Sequence, residues 1–124
     1  IVAAASIPVF NHGAMKRDFP YVDDIVEGII AALHPPPAED KGVSHNIYNL
    51  GNHRSEPLMR YIELIEKEVG KKGIYTMLPM QAGDVPESFA DISRAQQELG
   101  FHPKTNIDQG IKNFVQWYRS YYRA

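Results

Sequence analysis

The chain has 124 residues, 44% of them hydrophobic, which is enough for one buried core and too apolar for a disordered segment. Lys and Arg number 13 and Asp and Glu 15, a formal net charge of −2, which argues against the basic face of a general nucleic-acid or anionic-membrane binder. There is no cysteine, so disulfides, thiolate-bound zinc and thiol catalysis are excluded together.

The opening IVAAASIPVF is apolar, lacks an initiator Met and has no basic stretch before it. It reads as the interior of a longer chain, not as a signal peptide. No run approaches the length of a membrane helix. Residues 7–11 (IPVFN) predict a short strand, ended by the Asn11-His12-Gly13 turn. Residues 18–22 predict an extended edge segment, because Pro20 cannot donate to a ladder. Asp23 and Asp24 then open a helix, with Asp24 and Glu27 in a capping-box spacing. Its core face is predicted from Ile25, Ile29 and Leu33, with Val26 and Ile30 beside them. Pro35-Pro36-Pro37 ends it and begins a surface loop over residues 35–44.

Residues 45–50 (HNIYNL) predict a second strand, closed by Gly51-Asn52. Ser55 begins the next helix, with Pro57 in its first turn. Leu58, Ile62, Ile65 and Val69 repeat at helical spacing, and Gly70 is the expected C-cap. Residues 74–78 predict a third strand and residues 79–86 (PMQAGDVP) a loop. Ser93 with Gln96 caps a short helix ending at Gly100. Asn106 with Gln109 caps the last helix, with Ile111, Phe114, Val115 and Tyr118 as its buried face. The sum is an α+β chain, a few short strands interleaved with four helices.

The glycines form neither a GxGxxG fingerprint nor a P-loop, and Tyr-x-x-x-Lys and GxSxG are missing. The five histidines do not stand at metal-ligand spacing, and surface or loop positions account for them. The pair Asp23-Asp24 suits a helix N-terminus. Trp117, Tyr118, Tyr121 and Tyr122 resemble a base-stacking platform, but their helical spacing favours core packing or a subunit contact. Two segments offer more. Residues 16–24 (KRDFPYVDD) place an arginine, able to grip phosphate oxygens bidentately, just before a helix. Residues 77–86 (MLPMQAGDVP) place Asp84 after Gly83 in a loop, where a carboxylate can hold a sugar diol. On residue chemistry alone, either segment can equally be a structured turn.

The text VFNHGAMKRDFPYVDDIVEGI, then NIYNLGN, then MLPMQAGDVPESFADISRAQQELGFHPKTNIDQGIKNFVQWYRSYY resembles nucleotide-sugar epimerases of the extended short-chain dehydrogenase/reductase family. The resemblance is strongest to the UDP-glucuronate 4-epimerase branch, where Gln stands at the position of Gln81. It covers nearly the whole chain and corresponds to the C-terminal part of such enzymes. It implies that residues 1–124 are a substrate-binding lobe without its Rossmann domain.

The resemblance assigns roles to individual positions. Arg17 matches the arginine on the nucleotide's diphosphate, and Asp84 the acid on the ribose hydroxyls. Gln81 matches a further phosphate-side contact, and Phe10 the segment along the uracil. Pro8, Ala14 and Ala82 depart from the family text: a lost N–H toward uracil, a lost positive charge and a loop without its usual proline. The implied partners are a UDP-sugar and the Rossmann domain of the same chain. NAD is expected on that domain and not on these residues. No nucleic-acid or membrane partner is expected, and the whole enzyme is expected to be a cytoplasmic homodimer. The 124 residues alone are expected to bind without catalysing. Two alternatives stay open: a non-catalytic uridine-nucleotide binding or interaction module, and the lobe of a related NAD-dependent sugar dehydratase or decarboxylase.

Overall fold

The computed structural model describes residues 1–33 and 45–123. The loop expected at residues 35–44, with its prolines, lies outside them. Strand β1 (Ser6–Val9) pairs parallel with β4 (Ile74–Met77), and β2 (Lys16–Asp18) pairs antiparallel with β3 (Ser55–Pro57). The helices are α1 (Val22–Ala31), α2 (Leu58–Val69), α3 (Ser93–Leu99) and α4 (Ile107–Tyr122). The expected α+β class is therefore observed, with four helices among the described residues.

Among the described residues, two clusters make most of the core. In one, α4 contributes Ile107, Ile111 and Val115, against Tyr61, Leu64, Ile65 and Val69 of α2. Phe19 joins it by stacking on Tyr61 at 4.3 Å between ring centroids. In the other, Ile92, Ala95 and Phe101 pack with Tyr48, Leu50, Ala90 and Leu99. The caps follow the sequence in part. Asn106 accepts the Gln109 N–H at 2.9 Å, and Gly70 closes α2 with a φ of 75°. The Ser93 cap does not form: Asp91 instead accepts both the backbone N–H and the hydroxyl of Ser93.

Several boundaries differ from expectation. The first strand stops at Val9, and Phe10–Gly13 turn through a 3-10 helix in which Asn11 and His12 take positive φ. Leu78 donates its N–H to the Val9 carbonyl, so strand alternation points the nitrogen of Pro8 away from β4 and the proline is tolerated. Ser55–Pro57 join β3 instead of α2, because β2 captures their backbone; the Leu58 N–H then bonds the Met15 carbonyl. Residues 45–50 form no strand, since an isolated run has no ladder to join among the described residues. They pack as an irregular segment through Tyr48 and Leu50, with Ile47 exposed.

The largest correction concerns α1. Of its expected core residues, Val26, Ile29, Ile30 and Leu33 are exposed, as is Val22, and only Ile25 is partly buried. The face turned inward carries Asp24 and Gly28. A Cβ on Gly28 would lie 2.9 Å from both Leu50 and Phe101, so only glycine allows this approach. Asp24 does not cap: it reaches across to the N–H groups of Lys104 and Thr105, at 3.1 and 3.0 Å. On α4, Phe114 lies to one side of the seam with α2 and is half exposed. The Trp117–Tyr121 pair stacks at 5.4 Å but is exposed, so it is not part of this chain's core.

Candidate functional site

Strand β2 is the centre of the site. On one side it pairs with β3. On the other it is flanked by residues 86–88: the Lys16 N–H donates to Pro86, Ser88 donates to Lys16, and Asp18 donates to Ser88, at 2.8 to 3.2 Å. This lane brings the loop that leaves β4 back against β2. The loop starts at Leu78, whose carbonyl accepts the His12 N–H at 2.9 Å. It turns at Gly83, whose φ of 83° suits glycine.

Within this frame Arg17 and Asp84 meet. Arg17 Nη2 donates to Asp84 Oδ1 at 2.7 Å, although 67 residues separate them. Both side chains are about one-third exposed or less, at 26% and 32%. Arg17 Nη1 also donates to the Lys16 carbonyl, and Asp84 Oδ1 accepts the Val85 N–H, each at 2.7 Å. One cation and one carboxylate therefore share a single, half-buried location.

The other expected residues are placed nearby with less contact. The Asp84 N–H donates to the Gln81 carbonyl at 3.2 Å, and the Gln81 side chain is exposed. Phe10 opens the 3-10 turn at the end of β1, beside the start of the loop, and is partly buried. Ala14 and Ala82 are exposed.

The sequence reading missed a supporting set. Glu87 accepts a hydrogen bond from the Ser55 hydroxyl and lies 3.6 Å from Lys16 Nζ. The Ser55 bond, and next the Lys16 charge, hold the Glu87 carboxyl below its ordinary range. Asp18 accepts the Asn52 N–H at 2.8 Å and the Ala90 N–H at 3.2 Å. Asp18 was detectable as a charge in a strand directly after Arg17. Ser55 and Glu87 gave no signal, because their meeting depends on tertiary pairing.

A hollow of about 580 Å³ lies elsewhere, among Ile1, Ile7, Ile65, Val69, Phe114 and Tyr118. Its lining is mostly apolar, with Lys71 and Arg119 beside the apolar side chains, and contains neither Arg17 nor Asp84. A hollow of about 290 Å³ borders β2 beside Lys16, Pro86 and Glu87.

Residues 2–114 match the family described as GDP-mannose 4,6 dehydratase. The chain belongs to this family of nucleotide-sugar epimerases and dehydratases. An uncharacterized protein of Methanocaldococcus jannaschii is 42% identical over 95% of this chain and 34% of its own length. A probable UDP-glucuronate 4-epimerase of Rhizobium meliloti is 37% identical over 94% of this chain and 38% of its own length. Among solved structures, a UDP-glucuronic acid 4-epimerase mutant from Bacillus cereus, in complex with UDP-4-deoxy-4-fluoro-glucuronic acid and NAD, superposes with a TM-score of 0.80. It is 26% identical and is matched over 98% of this chain and 37% of its own. The chain thus spans little more than a third of the length of these relatives. Its fold is that of the C-terminal lobe of extended short-chain dehydrogenase/reductase epimerases.

Proposed function

We propose that residues 1–124 form the UDP-sugar-binding lobe of an NAD-dependent nucleotide-sugar epimerase acting on UDP-glucuronate. The observation that carries this reading is the meeting of Arg17 and Asp84. A diphosphate calls for a cation with paired donors, and a ribose diol calls for a carboxylate acceptor. The fold supplies both at one place. The resemblance of MLPMQAGDVP to the UDP-glucuronate branch and the names of the relatives support the choice of sugar.

In this reading Arg17 holds the diphosphate, Asp84 accepts from the ribose hydroxyls, Gln81 adds a phosphate-side contact, and Phe10 packs along the uracil. Gripping the remote nucleotide half positions the sugar, so binding energy far from the reacting carbon is used for orientation. NAD supplies hydride chemistry in such enzymes. The residues of this chain do not fit it, having no glycine cradle for its phosphates. Its site belongs to the remaining part of the protein.

That part is also the partner that the exposed apolar face of α1 calls for. Val22, Val26, Ile29, Ile30 and Leu33 form one apolar stripe, and Leu50 of the unpaired 45–50 segment lies directly beneath the helix. An exposed stripe of this kind marks a docking surface.

The test is incubation of the full-length protein with NAD and UDP-glucuronate, with chromatographic separation of the epimers. UDP-galacturonate is the expected product, and residues 1–124 alone are expected to give none. A UDP-pentose, or its 4-keto form, made with loss of the C6 carboxylate as carbon dioxide, would assign the lobe to a decarboxylase instead; a dehydratase is tested with UDP-glucose, whose C6 hydroxyl can leave as water.

A further inference from the structure

Any ligand of this site must engage two groups that are already engaged with each other. Arg17 and Asp84 are partners at 2.7 Å, and both side chains are mostly buried. The backbone lane between β2 and residues 86–88 fixes one to the other. Each has a further bond, Arg17 to the Lys16 carbonyl and Asp84 to the Val85 N–H, that holds its side chain in place.

This geometry treats whole and partial ligands differently. An isolated anion that takes Arg17 meets the negative charge of Asp84 at close range, where repulsion is strong in a half-buried site. An isolated diol that approaches Asp84 meets a carboxylate whose Oδ1 already accepts from the guanidinium, so it bridges both oxygens only by displacing Arg17. A ligand that carries a diphosphate and a vicinal diol in one piece avoids both costs. It offers Arg17 a replacement anion and Asp84 replacement donors in the same event.

We infer that the Arg17–Asp84 ion pair is a specificity device, selecting ligands that present a diphosphate and a ribose diol together over free pyrophosphate or free nucleoside. This rests on the roles given to the two residues above. It adds that each residue suppresses the half-ligand belonging to the other.

The experiment is calorimetric titration of the full-length protein with UDP, pyrophosphate and uridine, for the unaltered chain, Asp84→Asn and Arg17→Gln. Asp84→Asn is expected to bind pyrophosphate about two- to fivefold more tightly, the scale of a part-exposed ion pair, and UDP more weakly. Arg17→Gln is expected to bind uridine more tightly by a similar factor, and UDP more weakly. If UDP binding falls but Asp84→Asn leaves pyrophosphate unchanged and Arg17→Gln leaves uridine unchanged, the two residues hold the ligand but do not gate it, and the inference fails alone. If neither variant changes any of the three affinities, the assigned roles fail with it.

Discussion

Asp24 in α1 accepts the backbone N–H of Thr105 at 3.0 Å, and so ties the first helix to the turn that precedes the last. Its second oxygen accepts the N–H of Lys104 at 3.1 Å. The carboxylate is 4% exposed, so both donors lose their partner if it is removed. Asp24→Ala should destabilise the chain by about 2–4 kcal/mol, given charge-assisted bonds replaced by unsatisfied buried donors. Asp24→Asn keeps one acceptor and should cost about half as much. Urea denaturation of the two variants measures the difference.

Gly51 is fixed by space and not by backbone angle. A Cβ there would stand 2.6 Å from that of Ala90 and 2.7 Å from Asp18 Oδ2. Gly51→Ala should cost about 1–3 kcal/mol through overpacking. It should also weaken UDP binding, because Asp18 is the chain neighbour of Arg17. Thermal unfolding and a UDP titration on the same variant separate the two effects.

Much of the fold was legible because local signals agreed with the final packing. The Gly70 and Asn106 caps are satisfied within their own segments, and the α2 repeat meets α4 on the face its spacing marks. The failures share a cause. Residues 45–50 have the composition of a strand, but a strand needs a partner. The stripe on α1 has the spacing of a core face, but spacing does not say what covers it. Gly28 and Asp24 point that helix the other way round. Arg17 and Asp84 were legible as a cation and a loop acid. Their mutual bond was not, because it depends on the lane between β2 and residues 86–88.

Glu66 gives the fold a pH dependence. Its buried carboxylate accepts from Lys72 Nζ and the Gly73 N–H, both at 2.7 Å, and from the Tyr75 hydroxyl. The Lys72 bond, and next that of Gly73, lower its pKa from the ordinary 4.5. The folded state therefore binds this proton less readily than the unfolded chain. The stabilisation is complete above the ordinary carboxylate range and is lost as pH falls through the lowered folded value. Glu66→Gln should flatten that acid limb of the stability curve. An unchanged limb in the variant would assign the acid sensitivity to other carboxylates.

The α1 stripe predicts a contrast between two lengths of the protein. Ile29→Glu should change the stability of residues 1–124 by no more than about 0.5 kcal/mol, as for a surface substitution. On the docking face proposed for the full-length protein the same change should cost several-fold more, because it would bury a charge there. Equal melting-temperature shifts in the two would show that nothing in the longer chain covers α1.

The central claim is that Arg17 holds a nucleotide's diphosphate. The most direct measurement is the dissociation constant of UDP from the full-length protein and from its Arg17→Ala variant, by calorimetry. Loss of a hydrogen-bonded charged partner should weaken binding by about 1.5–3 kcal/mol, or roughly ten- to 150-fold. The same dissociation constant in both proteins would contradict the account.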